Sequence, residues 1–208
     1  MKKEKLRQIY KSLIKLPTRP KIELGQYYTP FDFIYAIFED IYSNFNARLK
    51  EITIADLGAG TGLISIILSL LGVKRVYAIE VDKDMIKIIN KNIKRVKEKF
   101  GIDIKNVEVC NIDINKFKKK VDICVSNPPF GRRYIMEDRI FFNKAIEIAN
   151  YIYFIVRKDD ISFYEVYSKE NNLNFDVIYI SKYILPKIYK FHKRKSKVFT
   201  LCVIKAWK

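Results

Sequence analysis

One run of residues limits this chain more than any other. Ala55-Asp56-Leu57-Gly58-Ala59-Gly60-Thr61-Gly62 follows the apolar stretch that begins at Ile52 and leads into the helix-like stretch from Leu63 to Leu71. Closely spaced glycines let the backbone turn sharply out of a buried strand and approach a ligand. The spacing, G-x-G-x-G, is one residue tighter than the dinucleotide fingerprint G-x-G-x-x-G. The residues beyond repeat the strand-then-helix rhythm. Lys74 to Ile79 reads as a strand, 83–100 as a long basic helix, 106–110 and 121–126 as strands, 137–149 as a helix and 151–156 as a strand. Such alternation implies an α/β fold around a parallel sheet. The ending departs from it, because Phe175 to Ser181 and Lys197 to Ala206 are strand-like runs with no helix between them, so an antiparallel hairpin should close the sheet.

Two helices are expected ahead of this core. Leu6, Ile9, Leu13 and Ile14 recur at helical spacing until Pro17 to Pro20 break the pattern, and Phe33, Ile34, Ile37, Phe38 and Ile41 mark a second amphipathic helix after Pro30, ending near Asn44. Without repeats, low-complexity tracts or linkers, the 208 residues read as one domain. Residues 1–46 supply the helices and a segment over the ligand, and 47–208 the core.

Forty Lys and Arg against 23 Asp and Glu leave a formal charge of +17, which points to a polyanionic partner. Cys110, Cys124 and Cys202 are odd in number, far apart and in or beside apolar runs, so they read as buried thiols in a reducing compartment. With a single histidine they cannot build a zinc site, and no metal is expected. The start, Met-Lys-Lys-Glu-Lys, has no apolar leader, and no apolar stretch approaches a membrane span, which indicates a cytoplasmic protein.

Acids stand at successive strand ends. Asp56, ahead of the glycines Gly58, Gly60 and Gly62, suits a ligand with an amino group. Glu80 ends the next strand, where a carboxylate can accept both ribose hydroxyls of an adenosyl group. Asp113 follows the third strand, placed to accept from an adenine amine with Ile112 beside it to pack on the ring. Asp82 and Asp84 read instead as caps of the long helix.

The fourth strand runs into Ser126-Asn127-Pro128-Pro129-Phe130. Two prolines stiffen this turn and remove amide hydrogens. The Asn127 side-chain oxygen and the Pro128 carbonyl can both accept from one NH2 group, turning its lone pair toward a methyl donor, while Phe130 stacks on the base. Gly25-Gln26-Tyr27-Tyr28-Thr29-Pro30 offers a hydroxyl, backbone amides and phenols to the same pocket, with Gln26, Tyr28 and Thr29 as the candidate contacts. The loop before the last strand interleaves Lys187, Lys190, Lys193, Arg194, Lys195 and Lys197 with Tyr189, Phe191 and His192, a mixture suited to phosphates and unpaired bases. Arg132 and Arg133 could guide a backbone around a flipped nucleotide. Lys91, Lys94, Lys97 and Lys99 read as a solvated helix face.

The glycine loop together with Asn127-Pro-Pro-Phe resembles the amino-methyltransferases, and Gly25 to Pro30 resembles the leading motif of adenine-N6 enzymes. These motifs leave DNA and RNA open. Lys21-Ile-Glu-Leu-Gly-Gln-Tyr and Leu185-Pro-Lys-Ile-Tyr-Lys-Phe-His-Lys-Arg-Lys-Ser196 are similar, essentially end to end, to the methyltransferase-like protein five family of small-subunit ribosomal RNA adenine-N6 methyltransferases. That resemblance implies a Rossmann-like class I fold with a seven-stranded, mostly parallel sheet, and S-adenosylmethionine held by Asp56, Glu80 and Asp113. It further implies an adenine held by Asn127 to Phe130, RNA met by Phe191 to Lys195, and a small zinc-binding activator subunit pairing with an edge strand, with strand 106–110 as the expected edge. A glutamine-N5 methyltransferase, a DNA adenine methyltransferase and a non-catalytic RNA-binding scaffold are the alternatives.

Overall fold

The computed structural model describes residues 1–17, 21, 28–129, 135–186 and 196–208. Among the described residues seven strands form one sheet in the order β3-β2-β1-β4-β5-β7-β6. The strands are β1 (Thr53–Leu57), β2 (Arg75–Glu80), β3 (Val107–Asn111), β4 (Val121–Ser126), β5 (Ala149–Arg157), β6 (Asn174–Pro186) and β7 (Ser196–Trp207). β1 to β5 run parallel, whereas β7 lies antiparallel between β5 and β6. The expected hairpin therefore forms, and its two strands are longer than the sequence suggests. β3 is the other edge, as expected.

The helices are α1 (Lys3–Ser12), α2 (Phe31–Phe45), α3 (Leu63–Ser69), α4 (Lys83–Phe100), α5 (Ile135–Ile148) and α6 (Ile161–Glu170). Five match sequence expectations. The sixth, α6, was not expected, and its composition explains why. Only Tyr164 and Ser168 are buried on it, Val166 lies exposed, and its β-branched and aromatic residues make no continuous apolar stripe. Packing of Tyr164 against Phe154 of β5 and Phe142 of α5 holds that segment helical instead.

Strands in the middle of the sheet are buried on both faces, so Ile54, Leu57, Ile123 and Val125 are almost fully covered. One face of the sheet packs under α1, α2, α3 and part of α4, the other under α5 and α6. Because the strand order reverses between β1 and β4, a crevice opens beyond the carboxyl ends of these two strands. Cys124 and Cys202 are buried and Cys110 partly so, all as free thiols. Among the described residues no helix is long and apolar enough to cross a membrane.

Candidate active site

A cleft of about 330 Å³ occupies that crevice. Its lining comes from the ends of four parallel strands and from the N-terminal segment: Gly58 to Thr61 after β1, Ile79 to Val81 at β2, Asp113 to Asn115 after β3, and Asn127 to Pro129 after β4, with Lys15, Leu16, Tyr28 and Thr29 across from them. The described residues expected to share a site meet in one cavity, with three refinements.

The first concerns Asp56, which does not line the cleft. It is only 1% exposed, and its Oδ2 accepts from the Ser65 backbone N–H at 3.0 Å and from the Ser65 hydroxyl, both in the first turns of α3. Oδ1 is buried with no hydrogen-bond partner among the described residues. Burial pushes this carboxyl up to about 7, with its bonds to Ser65 pulling the other way. Its place is beneath the glycine loop. The second refinement is Gly62, which caps α3 in the left-handed region at φ 80. A Cβ there would lie 3.1 Å from the Ile89 side chain, so the glycine is required for helix packing and not for contact with the cleft. The third is Ile112, which packs into the core while Ile114 takes its place in the lining.

Around the cleft the polar groups are tied in a definite pattern. Gly58 and Ala59 N–H both donate to the Ile79 carbonyl, at 3.0 and 2.9 Å, which bends the loop over the end of β2. At Gly58 a Cβ would come within 3.0 Å of the Phe141 ring on α5, so the loop and that ring pack as a unit. Glu80, 8% exposed, accepts from Gly60 N–H through Oε2 and from Asp82 N–H through Oε1, each at 2.8 Å. Burial raises its carboxyl above the ordinary range, and these backbone bonds oppose the rise. Asp113 is exposed and caps a short turn by accepting from Asn115 N–H at 2.8 Å. Asp82 caps α4 by accepting from Asp84 N–H, as the sequence suggests. Lys91, Lys94, Lys97 and Lys99 lie exposed on that helix, also as expected.

At β4, Asn127 Nδ2 donates to Thr29 Oγ1 at 2.8 Å, and Asn127 Oδ1 is buried with no hydrogen-bond partner among the described residues. Thr29 does not cap α2, which starts behind Pro30 without a side-chain cap. Its hydroxyl serves the asparagine. Gln26, Phe130, Arg132, Arg133 and Lys190 to Lys195, with Phe191, His192, Lys193 and Arg194 among them, lie outside the described residues.

Sequence reasoning passed over Lys15, Leu16, Met85, Ile140 and Phe141, which also line the cleft. It also passed over Asn92, which holds Lys15 and Leu16 there. Asn92 is fully buried on α4, accepts from Ile14 N–H at 2.8 Å, and donates to the carbonyls of Ile14 at 3.0 Å and Thr61 at 2.9 Å. Its signal was readable, since it interrupts the apolar stripe Met85, Ile89, Val96 with an amide.

Comparison with known proteins places this geometry in context. Residues 41–149 match the family described as Methyltransferase small domain. The zebrafish (Danio rerio) rRNA N(6)-adenosine-methyltransferase METTL5 is 31% identical over 85% of this chain and 85% of that protein. An uncharacterized protein of Methanocaldococcus jannaschii is 30% identical over 94% of this chain and 89% of its own length. Among solved structures, a candidate RNA methyltransferase from Pyrococcus horikoshii superposes with a TM-score of 0.82 at 31% identity, covering 100% of this chain and 98% of that one.

Proposed function

The chain belongs to the methyltransferase small-domain family, and from that premise we propose that it methylates N6 of adenine in RNA, with small-subunit ribosomal RNA as the substrate class and S-adenosylmethionine as the methyl donor. One observation carries the reading. Asn127 is tied through its amide nitrogen, and its oxygen is left buried and without a partner among the described residues, in a turn with no N–H at Pro128 or Pro129. Leaving a buried acceptor open costs about 1–3 kcal/mol, a cost that a ligand donor recovers. An exocyclic amine brings two hydrogens, one for Asn127 Oδ1 and one for the Pro128 carbonyl. Holding both draws the nitrogen out of conjugation and exposes its lone pair. The nitrogen gives up its proton only after the methyl group has arrived, so no side chain must act as a base beforehand, and the rate comes from positioning and electrostatics.

The remaining residues suit the donor. When bound, S-adenosylmethionine supplies an electrophilic methyl group on a sulfonium. Glu80, fixed by two backbone N–H groups, keeps lone pairs for ribose hydroxyls. Asp113 and Ile114 suit the adenine end, and Tyr28, Thr29 and the loop of Gly58 and Gly60 the methionine end, with Gln26 assigned there on chemistry alone. Asp56 and Gly62 shape the loop from beneath. Phe130, Arg132, Arg133 and the block from Lys190 to Lys195 are assigned to the RNA on chemistry alone, and the whole chain acts as one domain. A small zinc-binding subunit adding a strand to β3 is the finer partner reading, for which β3 offers only its edge position. A chain fully active as a monomer would remove it.

The test is to incubate the protein with labelled S-adenosylmethionine and total RNA, DNA or protein, then identify the modified nucleoside or side chain. Label recovered as N6-methyladenosine in small-subunit RNA is expected. Label confined to DNA, or to protein glutamine, overturns the proposal.

A further inference from the structure

Tyr10 sits on α1, 6% exposed, well away in sequence from the turn that carries Asn127. Its phenol donates to the Thr29 carbonyl at 2.8 Å. Thr29, itself buried, is held at a second atom, because its hydroxyl oxygen accepts from Asn127 Nδ2, also at 2.8 Å. The same face of α1 grips the residues that follow. The Tyr10 ring lies tilted against Phe31 at 5.5 Å between centroids, and Arg7 pairs with Asp32 at 2.9 Å while covering the Phe31 ring. Thr29 is therefore clamped from both sides, and it is the hydrogen-bond partner of the Asn127 side chain among the described residues.

An asparagine amide presents an acceptor and a donor of nearly equal shape, so its surroundings must decide which one a ligand meets. Toward an amine, the wrong orientation opposes donor to donor. We propose that Tyr10 is a positioning residue for methyl transfer: by fixing the Thr29 backbone, and with it the hydroxyl that meets Asn127 Nδ2, it holds the Asn127 side chain in place beside the cleft. The kinetic half of this inference rests on the reaction proposed above, whereas the structural half does not. A tyrosine that merely fills the core would leave the position of Asn127 untouched.

Three measurements separate these roles. Tyr10→Phe keeps the ring and removes one hydroxyl; kcat should fall about tenfold with both KM values unchanged, the scale of a small misplacement of a reacting group. The side-chain amide NMR signals of Asn127, assigned by their loss in Asn127→Ala, should shift in Tyr10→Phe whether or not a substrate is known. In a cycle with Thr29→Val, the second substitution should add no further loss, since both act through one link, while Thr29→Ser, which keeps the hydroxyl, should retain most of the rate. Unmoved Asn127 signals with unchanged kcat, or losses that multiply in the double variant, overturn the proposal. If the signals shift but the wild-type protein methylates no adenine, the positioning role stands and the proposed reaction falls.

Discussion

The two walls of the cleft are built on different principles. The wall formed by β1 and β2 is saturated where it faces the cleft, and its open acceptor among the described residues, Asp56 Oδ1, lies buried beneath it. Gly58 and Ala59 bond to Ile79, Gly60 and Asp82 to the Glu80 carboxylate, and Asn111 Nδ2 reaches the carbonyls of Glu80 and Val81 at 3.0 Å each. These contacts link residues no more than 31 apart, and each has a backbone group at one end at least. The wall at the end of β4 depends on side chains from distant parts of the chain, Thr29 and Tyr10, and it leaves an acceptor open. A saturated wall offers shape and spare lone pairs, and it binds a ligand without needing it. An open wall is committed to a particular donor, and a group that gains its partner only with substrate present can favour the transition state.

If this contrast is right, the walls should fail in different ways. Asn127→Ala should give the largest effect, lowering turnover by at least about a hundredfold, the scale of losing a transition-state acceptor, with cofactor affinity unchanged by calorimetry. Near-normal turnover would abolish the distinction. Glu80→Ala should act on the other wall and weaken S-adenosylmethionine binding by about 1–3 kcal/mol, since the carboxylate proposed to meet the ligand also ties Gly60 and Asp82. Turnover at saturating cofactor should change far less. An unaltered affinity would take Glu80 out of the ribose site.

A smaller effect tests the roof that joins the walls. Asn92→Ala removes three hydrogen bonds that hold the segment carrying Lys15 and Leu16 against Thr61. Cofactor affinity should fall by roughly 1 kcal/mol, about fivefold, as the segment loosens, and the melting temperature should drop because the carbonyls of Ile14 and Thr61 lose their donor. Unchanged affinity at a lowered melting temperature would make Asn92 structural only.

Much of this was legible in the residues because local chemistry repeats where backbone geometry is demanding. The glycine loop, the acids at Glu80 and Asp113, and the Asn127-Pro-Pro turn each follow a short apolar run, and strand order then brings them together without further information. What stayed hidden was set by tertiary partners. Asp56 looks like a ligand contact by position, yet Ser65, one helical turn into α3, takes its oxygen instead. Tyr10 and Asn92 meet the site only through folding, and α6 takes its form from the sheet surface under it. The polar residue within the α4 stripe is the exception, a local signal that could have been read.

Asp56 gives the smallest expected effect on function and the most distinctive dependence on pH. It lies beneath the saturated wall, and burial raises its carboxyl from 3.8 to about 7, assisted by the nearby charge of Glu80. Between those values the folded protein holds a proton that the unfolded chain has released. The contribution to stability is therefore complete below about pH 4 and is lost as pH rises through about 7. Asp56→Asn cannot release that proton, so its stability should decline less than the wild type's over this window. The difference in slope should be below the roughly 1.4 kcal/mol per pH unit that one full proton represents. Glu80, also raised by burial, titrates in the same sense and supplies part of the slope that remains. Chemical denaturation of both proteins across the window measures the difference directly. Parallel curves would mean that Asp56 is ionised throughout, and the wall beneath the glycine loop would then hold a buried charge instead of a neutral acid.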